Sequence, residues 1–485
     1  MNESMDKTMK EDDLEPLKLG PFSCKQILTV LISWLIIYGL GTVFISNPFW
    51  TERHAGGNVN YIHAMYLHGL LIGLVGLVAL TITQVFSFRS KHVRQSILGG
   101  MVLATILATV GGIFNKSITE IGWLWMQVFS FFVTDEIVLA LLIGFYVEWR
   151  NKSGASRSFP FLSAWLSTLG AFIAAVMGHI AGYILEFGDH PRFIGLYAAA
   201  VGEKLDDLTG NMIISHAHLF TTSLLGLLVA AAAWRFGYKA LEGGARNLVR
   251  VGFVLLMAGT VGLIVIYAST AFTSFSWPTV FPFGPNGVNG FGADDFTDGF
   301  GLMLGGLIIL LAMAFNRKPD FVAKWFRPTM TGVVATWVAV VLWGPVAGFS
   351  IQLRENLFGA GDPSAPLAKV DAAFVHSVID FFPFMAAVLV LLLIADLFLG
   401  PDKVKTIGRW VGVGSLVTVA GLLVHVFNDA GAVFGPGYFL TGAGLAIIAV
   451  MAVLLVLRLG EAAGAEEMEK PPQGSHKGTA HPART

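Results

Sequence analysis

One cysteine, Cys24, stands in a chain of 485 residues. That count excludes an intramolecular disulfide and every thiolate-bound metal design, from structural zinc to iron–sulfur clusters. Any metal would have to be held by His, Met, Tyr or carboxylate. Charge is scarce as well: Asp, Glu, Lys and Arg make up 13% of the residues and leave a net charge of -1, so there is no basic surface for nucleic acid. The polar, acidic N-terminal stretch lacks a cleavable signal pattern, and the first apolar run is expected to remain as a membrane anchor.

What the chain does have is apolar length. Hydrophobic residues make up 55% and the mean hydropathy is +0.69, well above a soluble domain. Runs long enough for a bilayer lie near 25–48, 61–86, 95–114, 121–147, 160–186, 212–236, 247–270, 298–315, 329–351, 371–399, 407–427 and 436–458. The expected fold is therefore all-α, a polytopic membrane bundle of about twelve transmembrane helices. A polar tail is expected over 1–20, the membrane domain over 21–460 and a disordered tail over 461–485, with the lipid bilayer as surroundings.

Orientation follows from the basic residues in the connections. The loops after the even-numbered runs hold 17 Lys and Arg, among them Arg89, Arg157, Arg246, Lys318 and Lys403, whereas the opposite loops hold 6. Basic loops stay cytoplasmic, which puts both termini inside and the longer loops 187–211, 271–297 and 352–370 outside. The implied location is the plasma membrane of a prokaryote, crossed many times.

With that orientation, His63, His68, His179, His216, His218, His376 and His425 all fall near the outer ends of their runs. One such histidine would be ordinary helix-to-helix hydrogen bonding. Seven at one depth point to a shared cofactor or metal chamber, the alternative being an extended proton-conducting network. His68, His218 and His376 open the second, sixth and tenth runs, with spacings of 150 and 158 residues. Every fourth run thus begins with histidine, which suggests a weak repeat of four helices taken three times. His216 and His218, two apart, point about 200° from each other on a helix and can address different neighbours.

His68-Gly69 at the start of the second run, His216-Ala217-His218 opening the sixth, the outer-half histidines and the four-helix repeat together resemble the catalytic subunits of haem–copper oxidases and nitric oxide reductases, the cytochrome c oxidase subunit I-like superfamily. That resemblance implies one or two haems, b-type, held by His68, His216, His218 and His376. It also implies a respiratory oxidoreductase that moves electrons from a cytochrome or quinol donor, or through a companion membrane subunit, to a small gaseous or nitrogen-oxide substrate. His179-Ile-Ala-Gly-Tyr183 echoes the family's His and Tyr four apart, so His179 and Tyr183, with mid-span Glu136, are the catalytic candidates. The wider set of metal-ligand candidates is His63, His68, His179, His216, His218, His376 and His425. Residues 247–270 contain no histidine, which argues against copper in the family's arrangement. Asp135 and Glu136, in mid-span, suit a proton path or a satisfied structural pair. His376/Asp380 and His425/Asp429, each four apart, allow a carboxylate to orient its imidazole. Two other classes stay open: a proton-coupled secondary transporter or channel using the His/Asp/Glu network, and a non-catalytic haem or metal-binding membrane protein.

Overall fold

Helices begin where side chains can satisfy their free N–H groups. Ser23 and Gln26 exchange reciprocal side-chain bonds at the start of the first helix, Ser23 Oγ accepting from the Gln26 N–H and Gln26 Oε1 from the Ser23 N–H. Ser158 Oγ likewise accepts from the Phe161 N–H at the start of a later one. The computed structural model describes residues 17–45, 59–114, 121–151, 155–187, 205–273, 281–283, 289–291, 301, 304–314, 368–427 and 435–468. In chain order the helices are α1 (Cys24–Ile45), α2 (Val59–Val85), α3 (Lys91–Phe114), α4 (Ile121–Arg150), α5 (Phe159–Phe187), α6 (Leu205–Phe236), α7 (Gly243–Thr273), α8 (Leu304–Ala314), α9 (Ala368–Leu399), α10 (Pro401–Phe427) and α11 (Pro436–Met468). Two small hairpins accompany them, Lys18–Leu19 with Phe22–Ser23 and Phe281–Phe283 with Asn289–Phe291.

Among the described residues nine helices are long and apolar enough to cross a membrane. The chain is thus a multi-pass helical membrane protein. The run expected at 329–351 lies outside the described residues. α6 starts at Leu205, before the expected 212, and α11 runs on through Met468, past the expected limit at 460.

α2, α6 and α9 touch one another pairwise and form the centre of the bundle. Their packed stretches are almost wholly buried, from Leu77 to Ile82 on α2, Leu224 to Ala233 on α6 and Met385 to Ala395 on α9. Around them, α5 lies along α6 and α7, α4 along α3 and α5, and the α10–α11 pair closes onto α1 and α9. In lipid no hydrophobic force draws helices together, so close van der Waals packing must do it, and small residues permit the approach. At the α7–α8 crossing a Cβ on Gly305 would come within 2.8 Å of the Gly252 carbonyl oxygen and the Leu256 amide nitrogen. Gly400, at φ +78°, supplies the left-handed residue that ends α9 before α10 begins.

Candidate functional site

His68, His179, His216 and His218 lie toward the same end of the bundle, on three neighbouring helices, while His92 sits at the other end, at the start of α3. On α5 and α4, His179 Nδ1–H donates to Asp135 Oδ2 at 2.6 Å. The His179 Nε2 is buried and has no hydrogen-bond partner among the described residues. Phe132 packs against this imidazole with centroids 4.3 Å apart. Phe131 stands edge-on between His179, at 6.0 Å, and His68 of α2, at 5.4 Å.

From α6, His216 Nδ1 lies 2.7 Å from the Ala174 carbonyl oxygen of α5. A carbonyl only accepts, so Nδ1 carries the proton and the lone pair sits on Nε2. The ring passes directly over Gly178, where any Cβ would strike it, so glycine is required beside His179. The His216 ring lies over Gly178, next to His179, and Phe131 spans His179 and His68, so side chains of α2, α4, α5 and α6 meet in one cluster. His218 leaves the other side of α6: its Nδ1 pairs with the Tyr267 hydroxyl of α7 at 3.0 Å. The two rings separate as their two-residue spacing dictates.

His68, His179 and His216 are therefore brought together, with His218 one helix width away. Glu136 is exposed on the outer face of α4, and its neighbour Asp135 takes the position beside His179. His63, His376, His425 and Tyr183 lie on α2, α9, α10 and α5, but their side chains fall outside the described residues. Sequence reasoning did not foresee Tyr267, Ala174 or Gly178 as site residues. Among the described residues no group of three His, Cys, Asp or Glu side chains could hold a metal ion. At the opposite end of α6, Arg235 Nε donates to Asp396 Oδ2 of α9 at 2.6 Å.

This arrangement can do acid–base chemistry. An imidazole fixed through Nδ1 by a carboxylate keeps its Nε2 lone pair in a set direction, the relation between base and orienting group found in many hydrolytic and transfer enzymes. The apolar rings of Phe131 and Phe132 lower the local dielectric and strengthen the pair.

No known family profile matches the chain, and no solved structure matches it. Among curated proteins, 128 residues, 26% of the chain, are 30% identical to "Very long chain fatty acid elongase 5" of Mus musculus. The corresponding protein of Macaca fascicularis is 29% identical over 128 residues. In both cases the aligned stretch spans 40% of the relative, so the chain covers well under two thirds of these proteins. This similarity corrects the resemblance drawn from the histidines: the relatives found are fatty acid elongases, which are unrelated to haem–copper oxidases and nitric oxide reductases. Electron transfer to a gaseous or nitrogen-oxide substrate is set aside with it, as are the transporter, channel and non-catalytic haem-protein alternatives. The physical reason is plain. A bilayer imposes long Leu/Gly-rich helices and a common depth for polar residues on any polytopic chain, so topology plus two short histidine motifs carried little family information.

Proposed function

We propose that the chain is a membrane enzyme of the fatty-acid elongation type, with His179 as general base, Asp135 as its orienting carboxylate and His216 alongside. The observation that carries this reading is the His179 imidazole, held through Nδ1 with a buried Nε2 that no group among the described residues engages. Lengthening an acyl chain forms a carbon–carbon bond at a thioester carbonyl and breaks its carbon–sulfur bond; the attacking carbon gains its electron pair by losing a proton or CO2, and the departing thiolate takes up a proton. A buried, oriented imidazole suits either proton transfer. The partial similarity to very long chain fatty acid elongase 5 supports the substrate class.

The test is purified protein in lipid nanodiscs, given a labelled long-chain fatty acyl thioester and an activated acyl donor, with product chain length read by mass spectrometry. Lengthened product that falls by ~10²–10⁴-fold in His179→Ala is the expected result. Absence of any lengthened product from the unaltered chain, over a range of acyl lengths, overturns the reading.

Haem at His68, His216, His218 and His376 is a separate proposal about a cofactor. One observation favours it: His216 and His218 each have Nδ1 engaged by a neighbour, which is how proteins orient an imidazole whose Nε2 meets iron, and iron at His216 would replace its role beside the base. An absorbance spectrum of the same preparation, oxidised and reduced, decides it. The proposal also includes the finer architecture, twelve spans in three four-helix repeats, and a prokaryotic plasma membrane with both termini cytoplasmic. A companion membrane subunit remains the proposed partner.

A further inference from the structure

Serine and threonine in membrane helices ordinarily return their hydroxyl proton to the carbonyl four residues back. Thr134, Thr168 and Thr222 do so here, to Ser130, Ala164 and His218. Among the described residues five buried hydroxyls do not, those of Thr105, Ser163, Ser167, Ser223 and Thr441, and three of them meet at one helix contact. Ser163 and Ser167 of α5 and Ser223 of α6 are 1%, 0% and 2% exposed, and their Oγ atoms have no hydrogen-bond partner among the described residues.

These three belong to one seam. At 100° per residue, Ser163, Ser167, Gly170, Ala174 and Gly178 fall within about 80° on α5. That face meets α6, because a Cβ on Gly170 would strike Ser223 Oγ and one on Gly178 would strike the His216 ring. Ser223 lies seven residues after His216, on the same side of α6. Read from the α5 start, just after Arg157, the seam therefore runs Ser163, Ser167, Ser223 and then His216.

The spacing suits water. Ser163 and Ser167 are about 6 Å apart along the axis. One water bonded to both hydroxyls spans about 5.6 Å. A buried unpaired hydroxyl is costly, and a bridging water removes the cost at each step.

We propose that the α5–α6 seam holds a file of water, bridged by Ser163, Ser167 and Ser223, that conducts protons between the Arg157 end of the bundle and His216. Each hydroxyl accepts a proton from the water on one side and releases its own to the next, so no group changes net charge. The file ends beside the His216 ring, which Ala174 holds through Nδ1–H. The protons come from, or return to, bulk water. The role assigned to them rests on the acid–base reading above; the water file itself does not.

Silver-ion accessibility tests the file, because Ag⁺ enters water-sized passages and reacts with a hydrated thiolate. In a Cys24→Ser background, Ser163→Cys and Ser167→Cys are near-isosteric and preserve the packing. Ag⁺ applied to the native protein is expected to cut later thiol labelling, after denaturation, by at least about tenfold. Ala231→Cys, on the fully buried stretch of α6, should keep its labelling. Equal protection of all three thiols overturns the file. For proton conduction, Ser167→Val should slow acyl lengthening by about tenfold and Ser167→Thr should retain it. Unchanged turnover in Ser167→Val, with Ser167→Cys still silver-reactive, overturns conduction. If the unaltered chain lengthens no acyl substrate, the elongation reading fails while the silver result still decides the file.

Discussion

On α4, two consecutive carboxylates meet different surroundings because 100° of helix separates them. Gln127, Ser130 and Thr134 are buried, while Trp125, Phe129, Phe132 and Leu139 are exposed, so the inward and outward stripes are distinct. Glu136 shares the outward stripe, and Asp135 lies close enough to the inner one to reach His179. Replacing Asp135 by Asn keeps an acceptor near Nδ1 but removes the charge that fixes the tautomer. Turnover is expected to fall by ~10–100-fold, less than in His179→Ala, with the unfolding temperature little changed. His92→Ala, exposed on α3, should match the unaltered chain in the same assay. The histidines of this site were legible in the sequence, because polar residues in long apolar runs stand out. The Asp135–His179 pairing, 44 residues apart, was not, although the 3–4-residue spacing of the large apolar residues on α4 already marked which carboxylate faces outward.

At the scale of elements, the apolar runs predicted the helices well, since bilayer thickness fixes their length. The second, sixth and tenth runs, which the sequence suggested as the openings of a repeat, correspond to α2, α6 and α9, and these three meet at the centre. What the runs could not show is how these helices are tied. Arg235 and Asp396 bridge α6 and α9 with 26% and 10% of their side chains exposed, far from the histidines in sequence and in depth. Arg235→Met leaves a largely buried carboxylate without its partner and is expected to destabilise by about 3–5 kcal/mol. Arg235→Met/Asp396→Leu removes both charges and should recover most of that loss, as followed by thermal unfolding in detergent. At the α7–α8 crossing, Gly305→Leu forces two backbones apart and should cost at least ~1–3 kcal/mol in the same measurement.

For the whole molecule, composition decided the class and left the chemistry open. Helices of bilayer length, a common depth for histidine and small-residue seams follow from the membrane as solvent, so they recur in chains with unrelated activities. The 17 to 6 division of Lys and Arg between alternate connections carries an expectation of orientation that does not depend on family. Translocating a basic loop is unfavourable, and the short loops here are the ones over which that bias acts. The segment around the α6–α7 junction, with Arg235, Lys239, Arg246 and Arg250, and the one after the eighth run, with Arg317, Lys318, Lys324 and Arg327, hold four each, and the one around the α2–α3 turn holds Arg89, Lys91 and Arg94. Reporter fusions after Arg89 and after Arg246 should therefore report the cytoplasm, and one within 188–204 the outside. A reporter after Arg246 that is active only outside the cell would reverse the bundle. The Ser163 end of the α5–α6 seam would then open to the exterior, and its protons would be drawn from there.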